Sequence, residues 1–403
     1  HMMYHPEAPL PEDFNHSRLI CRPNKPTGYT SEGCPIFTPE STIPLSIVNT
    51  DNRLLAAATK YALHYYLEEW VSQQQKGFLN GRSMSDNILL LDFGSKMYSL
   101  KFKQSCMVLF DFKAAFPSVN HEFMWEVLKG IGLGERWINL IKCFYLENRQ
   151  FVGRTSEKSF VAEVGIRQGC PLSPLIFAVV ADLLLRTLKK KHGDLSFTRA
   201  FADDTAMLVQ DTAHLKEVFA TFYEYAGFSN LHLNLKKTVI IPLFLPGNLE
   251  LAKERILVHL PEAKSMEVAD HAKYLGVLVG PGAAGRYWEA VILKFMKVVE
   301  KWSSINLGLH WRTRVYNMCA VSILQFYLQF YLVSEDLLQA EKRAFSKVFS
   351  GPGNWLPYDI LKGMRKQLGA CFDVLDVGQV SMAAQLRLIL TERCLNEVNL
   401  QKK

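Results

Sequence analysis

The sequence predicts an α+β fold, a split βαβ sheet with acidic strand ends followed by an all-helical region. Three observations carry this reading. Ser105 to Phe110 is a continuous apolar run, the mark of a buried central strand, and it ends in Asp111. Ser196 to Val209 holds two short strand-like runs around Phe201-Ala202-Asp203-Asp204, which reads as a β-hairpin with acid at its tip. Pro281-Gly282-Ala283-Ala284-Gly285 is the clearest linker, and the chain after it reads as almost all helical.

The other elements follow in order. Residues 1 to about 50 are rich in proline and polar residues and read as irregular, extended chain with room for strands at short apolar islands such as Arg18-Leu19-Ile20-Cys21. From Asp51, Leu54, Leu55, Ala58, Tyr61, Ala62, Tyr65 and Tyr66 recur at helical spacing. A loop from Gly77 to Ser83 leads into a second helix capped by Ser85 or Asp86. After Asp111, Asn120 caps a helix, and another covers roughly 135 to 147. Arg149 to Val152 and Ser159 to Val164 read as a hairpin. Pro174 sits in the first turn of a long apolar helix from about 173 to 190, where its missing N–H costs nothing. Beyond the acidic hairpin, Asp211 caps a helix, Leu231 to Leu245 reads as strand, bend, strand, and Tyr274 to Val279 as one more strand.

Composition narrows the class. The chain has 403 residues, 49% of them hydrophobic and 21% charged, which is globular and large enough for two or three domains. A net charge of +7 permits nucleic-acid binding without requiring it. The eight cysteines form no C-x-x-C pair, which favours a reduced intracellular protein over a disulfide framework or zinc knuckle. No apolar run has membrane-spanning length. His1-Met2 before Met3 reads as a cloning remnant, so the chain reads as a portion of something larger.

Asp203 and Asp204 in isolation read more readily as an ordinary polar turn than as a site. Asp111, at the end of a separate buried strand, changes the balance. A split βαβ sheet would bring the three carboxylates together, where they repel unless cations neutralise them. Hard oxygen donors of this kind suit Mg²⁺. Two such ions about 4 Å apart activate an attacking hydroxyl and stabilise a leaving pyrophosphate.

Seven motifs then fall in a recognisable order: Pro44-Leu45-Ser46-Ile47-Val48-Asn49, Gly77-Phe78-Leu79-Asn80-Gly81-Arg82-Ser83, Asp111-Phe112-Lys113-Ala114-Ala115-Phe116, Arg167-Gln168-Gly169-Cys170-Pro171-Leu172-Ser173-Pro174, Phe201-Ala202-Asp203-Asp204, Leu233-Asn234-Leu235-Lys236-Lys237-Thr238 and Tyr274-Leu275-Gly276-Val277. Together they resemble the reverse transcriptases of non-LTR (LINE-like) retroelements, over roughly residues 18 to 390. One motif alone is weak; seven in order are specific.

The resemblance implies a right-hand polymerase with fingers, an RRM-like split βαβ palm and a helical thumb. Residues 1–104 would be N-terminal extension and fingers, 105–280 the palm with a fingers insertion at about 133–170, and 286–403 the thumb and post-thumb region. It implies that Asp111 and Asp203 bind two Mg²⁺ ions (with Mn²⁺ as a substitute), that Asp204 is a weaker third ligand, and that the Phe112 carbonyl adds a ligand. Phe116 falls at the sugar gate, where a flat ring would clash with a ribose 2′-OH. Gln168 would lie beside the incoming nucleotide, Gly169 would let backbone approach the template base pair, and Lys237 would be a general acid toward pyrophosphate. Tyr274, Leu275 and Gly276 would form the primer grip. Arg82, Arg312 and Arg314 would touch primer and template, largely through phosphates.

The fingers depart from the family pattern. Ile43 stands where an arginine is usual, Arg22 falls at the position of a motif lysine, and Lys25 or Arg53 offers a substitute. The family's endonuclease domain and C-terminal Cys/His knuckle have no counterpart in this sequence. The expected activity is RNA-templated extension of a DNA or RNA primer with dNTPs, in an intracellular, nuclear setting without membrane contact. Two alternatives are a catalytically retired fold serving as an RNA-binding scaffold, motivated by Ile43, and an RNA-dependent RNA polymerase, distinguished by NTP preference.

Overall fold

A computed structural model describes residues 2–4, 9–24, 26–38, 41–153, 158–244, 248–351 and 355–388. The chain divides into two units, His1–Leu275 and Gly276–Lys403.

In the first unit, β1 (Ser17–Pro23) leads through a small antiparallel pair, β2 (Gly28–Tyr29) and β3 (Pro35–Ile36), to β4 (Thr42–Val48). β1 and β4 pair antiparallel from Ser17↔Val48 to Pro23↔Thr42. This stretch is therefore more regular than irregular, extended chain. Its alternation is hidden because Arg18, Ile20 and Arg22 share a face with Ile43, Leu45 and Ile47, and these four apolar side chains are exposed.

Helix α1 (Thr50–Trp70) forms where expected, but buries the opposite face. Ala56, Leu63 and Leu67 are enclosed, whereas Leu54, Leu55, Tyr61, Tyr65 and Tyr66 are exposed. Helix α2 (Met84–Lys101) is capped by Ser83, whose hydroxyl accepts the Ser85 N–H, and not by Ser85 or Asp86. β5 (Cys106–Phe110) is wholly buried. A short turn of helix, α3 (Ala115–Ser118), precedes α4 (His121–Gly130), capped as expected by Asn120, and α5 (Glu135–Cys143). β6 (Arg149–Val152) and β7 (Ser159–Val161) pair as a hairpin. Then come α6 (Ser173–His192), β8 (Ser196–Phe201), β9 (Asp204–Val209), and α7 (Leu215–Ser229), entered through a short 3-10 turn capped by Asp211.

The Leu231 region departs from the expected strand, bend, strand. Its one strand is β10 (Val239–Pro242); Leu233 forms an isolated bridge to Phe112, and Leu235 to Lys237 are a turn. Leu245 lies outside the described residues. α8 (Leu249–His259), β11 (Glu267–Val268) and β12 (Ala272–Tyr274) complete the unit.

Two larger sheets result, ordered β4-β1-β6-β7 and β11-β10-β5-β9-β8. β5 lies in the middle of the second, antiparallel to β9 and β10. Helices α6 and α7 supply much of its core, with Phe177, Leu184, Phe219 and Phe222 buried alongside Phe110, Met207 and Val209. Each such fully buried side chain contributes about 1.5–3 kcal/mol.

The second unit opens with β13 (Val277–Val279) and continues as α9 (Glu289–Ser303), α10 (Leu309–Val315), α11 (Ser322–Tyr327), α12 (Glu335–Val348), α13 (Tyr358–Lys362) and α14 (Met364–Leu368). The expected single strand from Tyr274 to Val279 is interrupted because Leu275 and Gly276 both take positive φ, 48° and 92°. Tyr316, in a π-helical turn between α10 and α11, packs edge-on to Phe295 and Phe345 in the unit's core. No helix among the described residues is long and apolar enough to cross a membrane.

Candidate active site

Asp111 leaves β5 at the sheet's end. Phe110, the last residue of β5, pairs with Thr205 of β9, so Asp111 and Asp204 stand one step beyond the last pair on facing strands. β8 and β9 close at Phe201↔Asp204 through the two-residue turn Ala202-Asp203. Ala202 takes φ 57°, a left-handed value usually given to glycine and costing an L-residue about 1–2 kcal/mol.

The electrostatics follow from this crowding. Burial raises the Asp203 carboxyl, its own backbone N–H partly opposes this, and the Asp111 charge adds to it. Asp204 is exposed as a residue, yet desolvation of its carboxyl, with the charges of Asp203 and Asp111, pushes it up to about 6. Burial also raises Asp111, against the pull of Lys237 and Asn234. Lys237 Nζ lies 4.0 Å from Asp111 Oδ2, an oxygen that is buried with no hydrogen-bond partner. Three carboxylates raised first by burial, two of them also by a neighbour's charge, stand around an orphaned oxygen and are short of positive charge, and their donors suit a hard divalent cation. Among the described residues, no three His, Cys, Asp or Glu side chains already form a metal cluster. The Phe112↔Leu233 bridge uses Lys113 N–H to His232 O and Asn234 N–H to Asp111 O, leaving the Phe112 carbonyl outside both bonds.

Phe116 is partly buried, its ring stacked on Phe177 at 4.2 Å and edge-on to Phe78 at 6.0 Å. The Gln168 carbonyl accepts the Ser46 N–H at 3.1 Å, while its side-chain Oε1 is buried and unpartnered. Gly169 has φ 99°. Tyr274 is buried, and its hydroxyl reaches the Asp204 carbonyl at 3.5 Å. Arg22 is exposed and paired directly opposite Ile43. Lys25 lies outside the described residues.

Two arginines expected at primer or template hold the protein's own backbone instead. The Arg82 guanidinium donates to the carbonyls of Glu68, Val71, Ser72 and Gln75, stitching the end of α1 to the following loop. Arg312, in the second unit, donates to the carbonyls of Leu307, Val348 and Ser350. These carbonyls lie at helix ends and in the loops beside them, where a fork of N–H donors satisfies several acceptors at once. Arg314 is exposed, 6.0 Å above the Trp311 ring. Sequence reasoning missed Gln75, fully buried beside the acidic turn, because Gln73-Gln74-Gln75 carries no periodicity and reads as polar loop.

The pattern that describes the reverse transcriptase (RNA-dependent DNA polymerase) family matches residues 31–279, more than half of the chain. The chain belongs to the reverse transcriptase family. It is similar to Pol polyproteins of non-LTR retroelements. It is 26% identical over 284 residues to that of the type-2 retrotransposable element R2DM of Drosophila melanogaster, covering 66% of this chain and 25% of the relative. It is 28% identical over 290 residues to that of the type-1 element R2 of Nasonia vitripennis, covering 69% and 27%. The chain thus spans about a quarter of the length of these relatives. Among solved structures it resembles telomerase of Candida tropicalis in complex with a TWJ fragment of telomeric RNA, with a TM-score of 0.50 and 12% identity, covering 85% of this chain and 54% of that one. That likeness speaks for the fold alone, the right-hand polymerase. Members of the family generally use divalent metal ions.

Proposed function

We propose that this chain is an RNA-templated DNA polymerase that adds dNTPs to a primer 3′-OH, with Asp111, Asp203 and Asp204 as its metal-binding carboxylates. The observation that carries the reading is the meeting of Asp111 with the Ala202-Asp203 turn at one end of the central sheet. Two Mg²⁺ ions held there, with help from the Phe112 carbonyl, would activate the attacking hydroxyl and stabilise the leaving pyrophosphate.

The chain's own groups do the rest. Asp111 and Asp203 orient the site, and Asp204 adds negative charge beside them. Lys237, exposed and 4.0 Å from Asp111, can move toward a departing pyrophosphate and give it a proton. Phe116, held flat by Phe177, blocks a 2′-hydroxyl and selects deoxynucleotides. Gln168 offers its unpartnered Oε1 near the nucleotide, and Gly169 keeps its loop free of a side chain beside β4. Opposite residues of an antiparallel pair share a face, so Arg22 stands next to the position of Ile43 and can supply the missing positive charge to a triphosphate. Tyr274, with the turn at Leu275 and Gly276, supports the primer end, and Arg314 offers a phosphate contact.

Primer extension on RNA and DNA templates with dNTPs or NTPs tests this, with Asp203→Ala as control. Incorporation of dNTPs that is abolished in the variant is the expected result. Equal extension by the variant, or none by the wild type on either template, would overturn it.

A further inference from the structure

The acidic turn is built on a backbone conformation that Ala202 does not favour, so something must hold it. The holder is a side chain from another part of the chain. Gln75 is fully buried. Its Oε1 accepts the Ala202 N–H at 2.8 Å and the Gly77 N–H at 2.9 Å. Its Nε2 donates to the Ala202 carbonyl at 3.0 Å. One amide thus satisfies both backbone groups of the residue preceding Asp203.

The segment that carries Gln75 is itself fixed to the same strand. Ala200 donates its N–H to Gln74 O at 2.9 Å, and its carbonyl accepts from Lys76 N–H and Asn87 Nδ2, both at 2.8 Å. Arg82 holds the Gln75 carbonyl at 2.8 Å. Gly77 approaches so closely that a Cβ there would lie 2.2 Å from the Ala202 nitrogen. Residues 74–77 therefore act as a clamp along β8 up to the turn.

We propose that Gln75 is a positioning residue for the polymerase reaction, fixing the Ala202-Asp203 turn so that the Asp203 carboxylate meets Asp111. The idea rests on the metal-site reading above. A glutamine is chemically suited because it offers an acceptor and a donor at one tip. Glutamate has the acceptor without the donor and would set a charge against the Ala202 carbonyl; methionine has similar reach and neither group. Supporting groups of this kind are worth about 10–100-fold in metal affinity or activity.

The test uses Gln75→Met and Gln75→Glu in the full chain, with folding verified by thermal melting. Free Mn²⁺ is titrated against the protein without nucleic acid and followed by electron paramagnetic resonance. Exchange of the Ala202 amide is measured, and kcat and KM for dNTP are taken on a primed RNA template. The expected result is Mn²⁺ affinity weakened by about 10–100-fold, a comparable fall in kcat with KM nearly unchanged, and loss of Ala202 amide protection. Folded variants that keep wild-type Mn²⁺ affinity and kcat would overturn the inference, since a filler of space would lower only the melting temperature. Should Gln75→Met fail to fold, Gly77→Ala pushes the same turn from its other contact, and wild-type metal affinity there is equally fatal. A wild type that binds Mn²⁺ through this turn yet extends no primer would sink the polymerase reading and leave the clamp standing.

Discussion

A Cβ placed on Gly169 would lie 2.5 Å from the carbonyl oxygen of Ser46. The loop holding Gln168 is pressed against β4 at this point, and Gly169 adopts φ 99°, which L-residues rarely take. Gly169→Ala therefore meets both a clash and a backbone penalty of about 1–3 kcal/mol. We expect a lower melting temperature and reduced extension, with KM for dNTP rising more than kcat falls. A variant with wild-type melting and kinetics would refute the close approach.

The acidic site makes a pH-dependent prediction for the metal-free protein. The Asp204 carboxyl titrates at about 6, above its ordinary value of 3.8. The folded state thus holds the proton better than the unfolded state does. Stability from this group is full below the unfolded value and is lost as pH rises through about 6. A divalent cation bound there offsets the burial of the charged carboxylate and the neighbouring charges of Asp203 and Asp111. Mg²⁺ should raise the melting temperature clearly at pH 7.5 and little at pH 5, and Asp203→Asn should abolish most of the effect. A Mg²⁺ shift of equal size at both pH values would contradict it.

Phe116 rests flat on Phe177 and is only partly buried, so trimming it opens space without emptying a closed core. Phe116→Val is expected to lower the preference for dNTP over NTP by about 10-fold or more, measured as the ratio of kcat/KM values. An unchanged ratio would move the sugar gate elsewhere.

In the second unit, Glu341 is completely buried. It accepts hydrogen bonds from the Tyr358 hydroxyl and the Val377 N–H, with Lys362 Nζ 3.8 Å away. Lys362 also lies 3.7 Å from Asp376. Removing one member of such a group strands the others. Glu341→Ala should cost about 3–5 kcal/mol in denaturant unfolding, whereas Lys96→Ala, at an exposed pair with Asp92, should cost almost nothing.

The acid-bearing sheet was legible because its signals are local. Cys106 to Phe110 is apolar throughout, as a strand enclosed on both faces must be, and the hairpin has a short polar tip between apolar runs. The N-terminal strands were legible only as extended chain with room for strands, and their pairing was not, since their outward face mixes isoleucine with arginine. Helix α1 was legible as a helix and not in its buried face, because its tyrosines and leucines lie on the exposed side. Arg82 illustrates a different limit. A guanidinium suits a phosphate or a set of backbone carbonyls equally well, and nothing in Gly81-Arg82-Ser83 distinguishes the two.

By itself the sequence determined the order of the motifs, the family, the sheet that carries Asp111, Asp203 and Asp204, and the helical character of the region after Pro281. These are properties of periodicity and of residue type at fixed spacing along the chain. Only the tertiary structure decided that Gln75 grips Ala202, that Gly169 lies against Ser46, that Arg22 pairs with Ile43 and that Arg82 is occupied by the end of α1. Each joins segments far apart in sequence, or settles which of several equally suitable partners a polar group takes. Spacing does not encode that choice; packing makes it, by placing one donor within reach of one acceptor.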